Sequence, residues 1–325
     1  MQIDSSSLYR DILKRAFLIT WHNRFLWILG LFTTFLGLGS IYEMVFRQSF
    51  HYDVLFGKFA SKFTTVSLSG ILIANNLDKI SVANLILFIL AVIAVTALAG
   101  FLVWLTIVSF GALIKSAQVF GNNKKITFAK SLRESRKKFW PILTINLVGK
   151  AMIFLFLSLT GALLSLVLTD TSVGNALIYF FASIIFVAIS LLFSFLIVYA
   201  SCFVAIKSKK MADSIHSTWA LFKENWVVSV EAAVILFFIN LCVKLALIII
   251  IVLLSVPLMI LLLVFYAASV SVAPTILIVF WIILSICILI LAGSFFSAFQ
   301  TVAWTLLFVK IIKGGVLSKL HSIFG

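Results

Sequence analysis

From Leu245 to Tyr266 no side chain carries a charge, and that stretch is longer than the roughly 20 residues that cross about 30 Å of hydrocarbon. Apolar runs of the same kind recur along the chain, bounded by short basic and aromatic segments. Such runs make this a polytopic membrane protein, and the rest of the sequence reads as hairpins hung between its polar segments. Spread over 325 residues, the runs leave no segment long enough for an independent soluble domain, so the chain reads as a single integral membrane domain over 1–325. With 63% hydrophobic and 11% charged residues and a mean hydropathy of +1.25, it lies far outside the soluble globular range.

Three places share one change of character, from basic and polar to aromatic to apolar: Leu8–Phe32, Ser131–Lys150 and Met211–Ala232. Each reads as a short helix lying on a membrane face, followed by a plunge into the bilayer at Phe25 or Trp27, at Trp140 and at Trp226. In the first, Leu8, Tyr9, Ile12, Leu13, Ala16 and Phe17 recur with helical spacing, and Ser5–Ser7 can cap the start. Arg10, Lys14 and Arg15 then face headgroups or water, as in an interfacial helix over 5–22. In the third, Met211, Ile215, Trp219, Phe222 and Trp226 form an apolar stripe.

Six spans follow in order. Span 1 covers about Phe25–Val45; a polar connection, Phe46–Ser81, has room for a short surface helix. Span 2 is about Val82–Ile114. Gly121–Asn122–Asn123 marks a turn before the second surface helix. Span 3 is about Phe139–Leu168, with Pro141 in its first turn, where a missing N–H costs nothing. After an outer turn at Thr169–Asn175, span 4 runs about Ala176–Ile206. Span 5 starts at Trp226; carried to Tyr266 it would reach about 60 Å, so a break is expected near Pro257, with the apolar remainder to Pro274 re-entrant or interfacial. Span 6 is about Thr275–Phe308. The expected fold is thus an all-α membrane protein with six transmembrane helices. They form three repeats of a basic amphipathic surface helix plus a transmembrane hairpin, about 5–114, 126–206 and 208–313. Repeats of this kind in transporters often mark a site at their interface.

Charge sets the orientation. Nineteen lysines and arginines fall in the four presumed inner segments, and four (Arg47, Lys58, Lys62 and Lys79) in the outer loops. That bias places both termini in the cytoplasm. The net charge of +15 belongs to this pattern and to contact with anionic lipid headgroups at the cytoplasmic face, not to nucleic acid. The first span reads as an uncleaved anchor, because Trp21–Arg24 stays polar and no small-residue cleavage site follows. Cys202, Cys242 and Cys287 sit in apolar runs without paired spacing, as buried small hydrophobes.

Charges inside spans are costly in hydrocarbon and so mark candidate sites. Lys150 lies roughly 15 Å past Trp140 at 1.5 Å per residue, with Asn146 one turn before it. Gln300, ten residues before Lys310, reaches a similar depth, and Glu231 is roughly 7 Å in, within snorkelling range. Asn146, Lys150, Glu231 and Gln300 are therefore expected to cluster. Ile239–Lys244 (INLCVK) echoes Ile145–Lys150 (INLVGK); Lys244 falls near the outer face, with Glu43 its natural partner. These six residues are either stations for an anionic headgroup or solute, or polar glue between helices. Thr96/Gly100, Ser158/Ala162, Gly161/Ser165 and Ser294/Ala298 carry the small-xxx-small spacing of close helix contacts.

Enzyme motifs are absent: no G-x-x-x-x-G-K-[ST], no H-E-x-x-H, no G-x-S-x-G. His22, His51, His216 and His321 have no ligand spacing. No cofactor and no metal is expected.

At TWHNRFLWILGLF, KKFWPILTINL and LFKENWVVSVEAA the chain resembles a broad group of uncharacterised prokaryotic integral membrane proteins. Their repeats are similar to the membrane domain that accompanies some glycerophosphodiester phosphodiesterases. The phosphodiesterase domain itself has no counterpart in this sequence, so neither its activity nor its catalytic residues carry over. The resemblance implies a membrane module near lipid metabolism or envelope assembly in a prokaryotic cytoplasmic membrane. The expectation is a non-enzymatic protein that binds or moves lipids or other amphipathic anions. The alternative is a scaffold, or the permease subunit of a complex with a separate ATPase; either leaves room for a protein partner or a homo-oligomer.

Overall fold

The computed structural model describes residues 5–34, 82–169, 173–267 and 273–313. They form nine α-helices and no strand: α1 (Ser5–His22), α2 (Phe25–Thr34), α3 (Val82–Gly121), α4 (Phe128–Arg136), α5 (Phe139–Thr169), α6 (Val173–Lys207), α7 (Met211–Glu224), α8 (Trp226–Ala267) and α9 (Ala273–Ile312). Five of them, α3, α5, α6, α8 and α9, are long and apolar enough to cross a membrane, and α2 is a shorter apolar helix. The protein is an all-helical, multi-pass membrane protein. The end of span 1 with Glu43, the Phe46–Ser81 connection, residues 170–172 and the chain beyond Lys313 lie outside the described residues. The outer turn expected at Thr169–Asn175 is shorter, since Thr169 ends α5 and Val173–Asn175 already belong to α6.

The expected surface helices correspond to α1, α4 and α7, and Pro141 sits in the first turn of α5. Two boundaries differ. Span 2 does not stop at Ile114: α3 continues to Gly121, carrying Lys115, whose charge is met by Glu134 of α4 at 3.6 Å. The expected break at Pro257 is also wrong, because α8 is one helix of 42 residues with the proline inside it. Proline removes one N–H and crowds the carbonyl of Leu253, four residues earlier. A break would instead leave several backbone groups unsatisfied in hydrocarbon, a larger cost. At about 63 Å, α8 exceeds the hydrocarbon thickness about twofold, so it tilts or protrudes.

The chain divides into two compact units, Met1–Gly39 with Thr106–Val148 and Phe195–Gly325, and Ser40–Leu105 with Gly149–Ser194. In the second unit Phe156 of α5 stacks on Phe193 of α6, centroids 6.0 Å apart. Its part of α3 is exposed on all sides from Ile89 to Val103, as suits contact with lipid. The small-residue spacing at Thr96/Gly100 marks no close contact, for a Cβ built on Gly100 meets nothing within 4 Å among the described residues.

The first unit holds α1, α2, α4, α7, α8 and α9 with the adjoining ends of α3, α5 and α6. Each of its short helices α1, α4 and α7 buries two small residues four apart, and α1 buries Tyr9 and Ile12 as well. The small pairs are Ala16 and Thr20 in α1, Ser131 and Ser135 in α4, and Ser214 and Thr218 in α7, all buried. Small side chains let helix backbones approach closely, which is where dispersion forces act when lipid tails are as apolar as the protein. Against α3, the Ser135 hydroxyl donates to the Val108 carbonyl at 2.7 Å, and Gly111 faces Ser135 so closely that any Cβ there would collide with it. The apolar stripe that starts on α7 is partly turned outward: Ile215, Trp219 and, at the start of α8, Trp226 are exposed, whereas Phe222 stacks on Phe195 of α6, centroids 5.7 Å apart. On α1 the exposed side bears Phe17, Leu18 and Trp21.

Helix α2 lies against α9 along a seam of small residues. The Gly30 Cα faces the Ser294 carbonyl with no room for a Cβ, and the Thr33 and Ser297 hydroxyls share a hydrogen bond of 2.9 Å. The expected close contact at Ser294/Ala298 is realised here. Beyond this seam, α8 from Leu241 to Phe265 has no fully buried residue, and neither has α9 from Pro274 to Gly293. Hydrocarbon side chains dominate both stretches, and Lys244 is the one charged residue in them. Burial in this unit concentrates at the ends that adjoin α1, α4 and α7.

Candidate functional site

The C-terminus of α3 is the base of the candidate site. The helix ends at Gly121, and the Lys124 N–H reaches back to the Val119 carbonyl at 3.0 Å, closing the last turn. That closure puts Asn123 in the left-handed region, φ 57°, which asparagine tolerates better than most side chains. Its Oδ1 accepts from Arg15 Nη2 of α1 at 2.8 Å. The adjacent Asn122 Oδ1 accepts from Lys313 Nζ, just past α9, at 3.3 Å. Two segments far apart in sequence are thus pinned to one turn.

Two clefts open beside this turn. The smaller, about 180 Å³, has Asp11, Arg15, Gln118, Asn122, Lys310 and Lys313 as its polar lining, with Ile12, Leu306 and Val309 as its apolar wall. The larger, about 680 Å³ and more open, is bordered by His22, Asn23, Asn123, Lys124 and Lys125. The Arg15–Asn123 hydrogen bond joins the borders of the two. Cationic side chains outnumber carboxylates throughout. Gln118 Oε1 is buried and has no hydrogen-bond partner among the described residues.

A further basic contact lies between α4 and α5. Lys138 Nζ donates to the Ala205 carbonyl and to Ser208 Oγ, both at 2.8 Å, which places a cation at the C-terminal end of α6 where the helix dipole favours one. Burial, and then the nearby Lys115, lower the Lys138 pKa from its ordinary value.

The residues expected to form an intramembrane cluster are placed as follows. Asn146 is buried; its Nδ2 donates to the Ile142 carbonyl at 2.9 Å and to Ser201 Oγ of α6 at 3.5 Å, and its Oδ1 is left unpaired among the described residues. Glu231, in the second turn of α8, accepts a hydrogen bond from the Tyr9 hydroxyl of α1 at 2.5 Å. Gln300 is buried on α9. Lys150 is half-buried on the part of α5 that belongs to the second unit, and Lys244 is half-buried on α8. Glu43 lies outside the described residues. A second polar link, between the Tyr199 and Ser229 hydroxyls at 2.8 Å, ties α6 to α8.

Sequence reasoning missed the smaller cleft. Its cations were counted as topology signals, and the one legible cue was the Asn122–Asn123 turn beside them. Among the described residues no group of three or more His, Cys, Asp or Glu is placed to hold a metal ion. Comparison with protein-family models, with curated proteins and with solved structures finds no match for this chain.

Proposed function

We propose that this protein binds or moves anionic amphipathic molecules, lipids first among them, in a prokaryotic cytoplasmic membrane. In this reading six spans form three repeats, both termini are cytoplasmic, and the basic layer is the collecting surface. The observation that carries it is the convergence of cationic side chains from α1, from the α3–α4 turn and from the end of α9 on two adjoining clefts. Each phosphate-bearing headgroup would find charge-assisted donors there. The repeat reading draws support from the buried pair of small residues four apart that α1, α4 and α7 each carry. Within the bilayer, Lys150 of the second unit is one station for the anion, and Lys244 of the first unit another, along a polar path with Asn146, Glu231 and Gln300 of its own unit.

A second reading, a scaffold or the permease subunit of a complex with a separate ATPase, is favoured by one observation. The apolar stripe that starts on α7 is exposed at Ile215, Trp219 and, on α8, Trp226, as a docking face would be.

Gentle purification from native membranes, with mass spectrometry of bound lipids and proteins for wild type and Lys150→Ala, tests both. Anionic lipid enriched on the wild type and reduced in the variant is the expected result. A stoichiometric ATPase with no enriched lipid would replace the first reading by the second.

A further inference from the structure

Resting on the reading that the basic layer collects anions, we infer that the smaller cleft is a binding site for a hydroxyl-bearing phosphate ester, with Arg15, Lys310 and Lys313 on the phosphate and Gln118 and Asp11 on a neighbouring hydroxyl.

The charge balance decides for an anion, though narrowly. Arg15, Lys310 and Lys313 face one carboxylate, Asp11. The C-terminal ends of α3 and α9 also adjoin the cleft, and each carries roughly half a negative charge on its last carbonyls. The remainder is about one positive charge. That suits a singly charged phosphodiester or a monoester with counter-ions, and it disfavours a divalent cation.

The acceptors decide for a hydroxyl. The Gln118 Oε1 atom is buried with no donor among the described residues, and a buried acceptor left unpaired costs free energy that a donated hydrogen bond would recover. Asp11 and the helix-end carbonyls add further acceptors on the same side. A bare phosphate, which at neutral pH offers mainly acceptors, leaves this side unmatched. A phosphate with a hydroxyl two or three bonds away satisfies both.

Size narrows the class. About 180 Å³ equals about six waters at roughly 30 Å³ each, room for a phosphate and a three-carbon polyol. The apolar wall of Ile12, Leu306 and Val309 would cover the carbon atoms. The cleft sits at helix ends, Gln118 in the last turn of α3 and Lys310 in that of α9, which is headgroup depth and not hydrocarbon depth. Both a lipid headgroup and a free polyol phosphate carry this chemistry.

The full chain is reconstituted in nanodiscs of phosphatidylcholine containing phosphatidylglycerol, and lipid occupancy is read by native mass spectrometry. Soluble glycerol 3-phosphate and inorganic phosphate are titrated against the same protein by thermal shift. The Lys310→Gln/Lys313→Gln variant should lower occupancy by at least about tenfold, as loss of two charge-assisted bonds requires. Lys130→Gln/Lys137→Gln, an equal charge loss at exposed positions that line neither cleft, should leave it within about twofold. Asp11→Asn should tighten inorganic phosphate and weaken glycerol 3-phosphate. Displacement of phosphatidylglycerol by glycerol 3-phosphate identifies a soluble ligand, and its persistence a lipid; either outcome supports the site. Equal loss in both double variants, or loss in neither, overturns it. In that case a wild type that still retains anionic lipid leaves the broader reading standing, whereas a wild type that retains none removes both.

Discussion

Tyr9 does more than contribute to the apolar face of a surface helix. Its ring is buried and its hydroxyl is bonded to Glu231, so one side chain ties α1 to the first turns of α8. Tyr9→Phe would keep the packing and remove this hydrogen bond to a carboxylate, a loss of about 1–3 kcal/mol, read as a lower melting temperature in detergent. Burial, and then the hydrogen bond to Glu231, raise the phenol pKa above its ordinary value of 10.0. A folded pKa above the unfolded one means that this stabilisation is complete below pH 10 and declines as pH rises beyond it. Wild type should therefore lose stability above pH 10 faster than Tyr9→Phe does; parallel declines would contradict the assignment. Depth reckoning along the sequence placed Glu231 within reach of Lys150. It had no means of seeing Tyr9, which lies more than two hundred residues away and comes near only because α1 docks on the bundle.

Between elements, two glycines that look alike in sequence separate cleanly. Gly30 faces the Ser294 carbonyl, whereas Gly100 faces open space. Gly30→Ala should destabilise by about 1–3 kcal/mol through overpacking, and Gly100→Ala should gain about 0.5–1 kcal/mol from reduced backbone entropy. Thermal unfolding of both variants checks this, and a neutral Gly30→Ala would contradict the α2–α9 seam. Periodicity made the surface helices legible: α1 spans Ser5–His22 as expected. Which residues pack against protein it left open. On α7 the buried residues are Ser214 and Thr218, while Ile215 and Trp219 look outward. In water an apolar stripe turns inward; beside lipid it has no reason to, and close approach of small residues sets the contact instead. Pro257 was misread for a related reason, since hydrocarbon penalises a broken helix more than a proline within one.

For the whole molecule, the apolar runs and the basic segments beside them made the membrane-spanning architecture legible, because hydrocarbon thickness and charge cost act on local sequence alone. Convergence was not legible. Arg15, Asn123 and Lys313 each sit in a different basic segment, and their meeting depends on how α1, α3 and α9 pack. In the proposed reading these segments form one cytoplasmic layer. Single cysteines replacing Lys124, Lys209, Lys313 or Gly174, in a chain with Cys202, Cys242 and Cys287 changed to alanine, can be labelled in intact cells with a membrane-impermeant maleimide. The account predicts labelling at Gly174→Cys from outside, and at the other three only after permeabilisation. Labelling of Lys313→Cys or Lys124→Cys in intact cells would contradict the single cytoplasmic layer and the clefts' place in it.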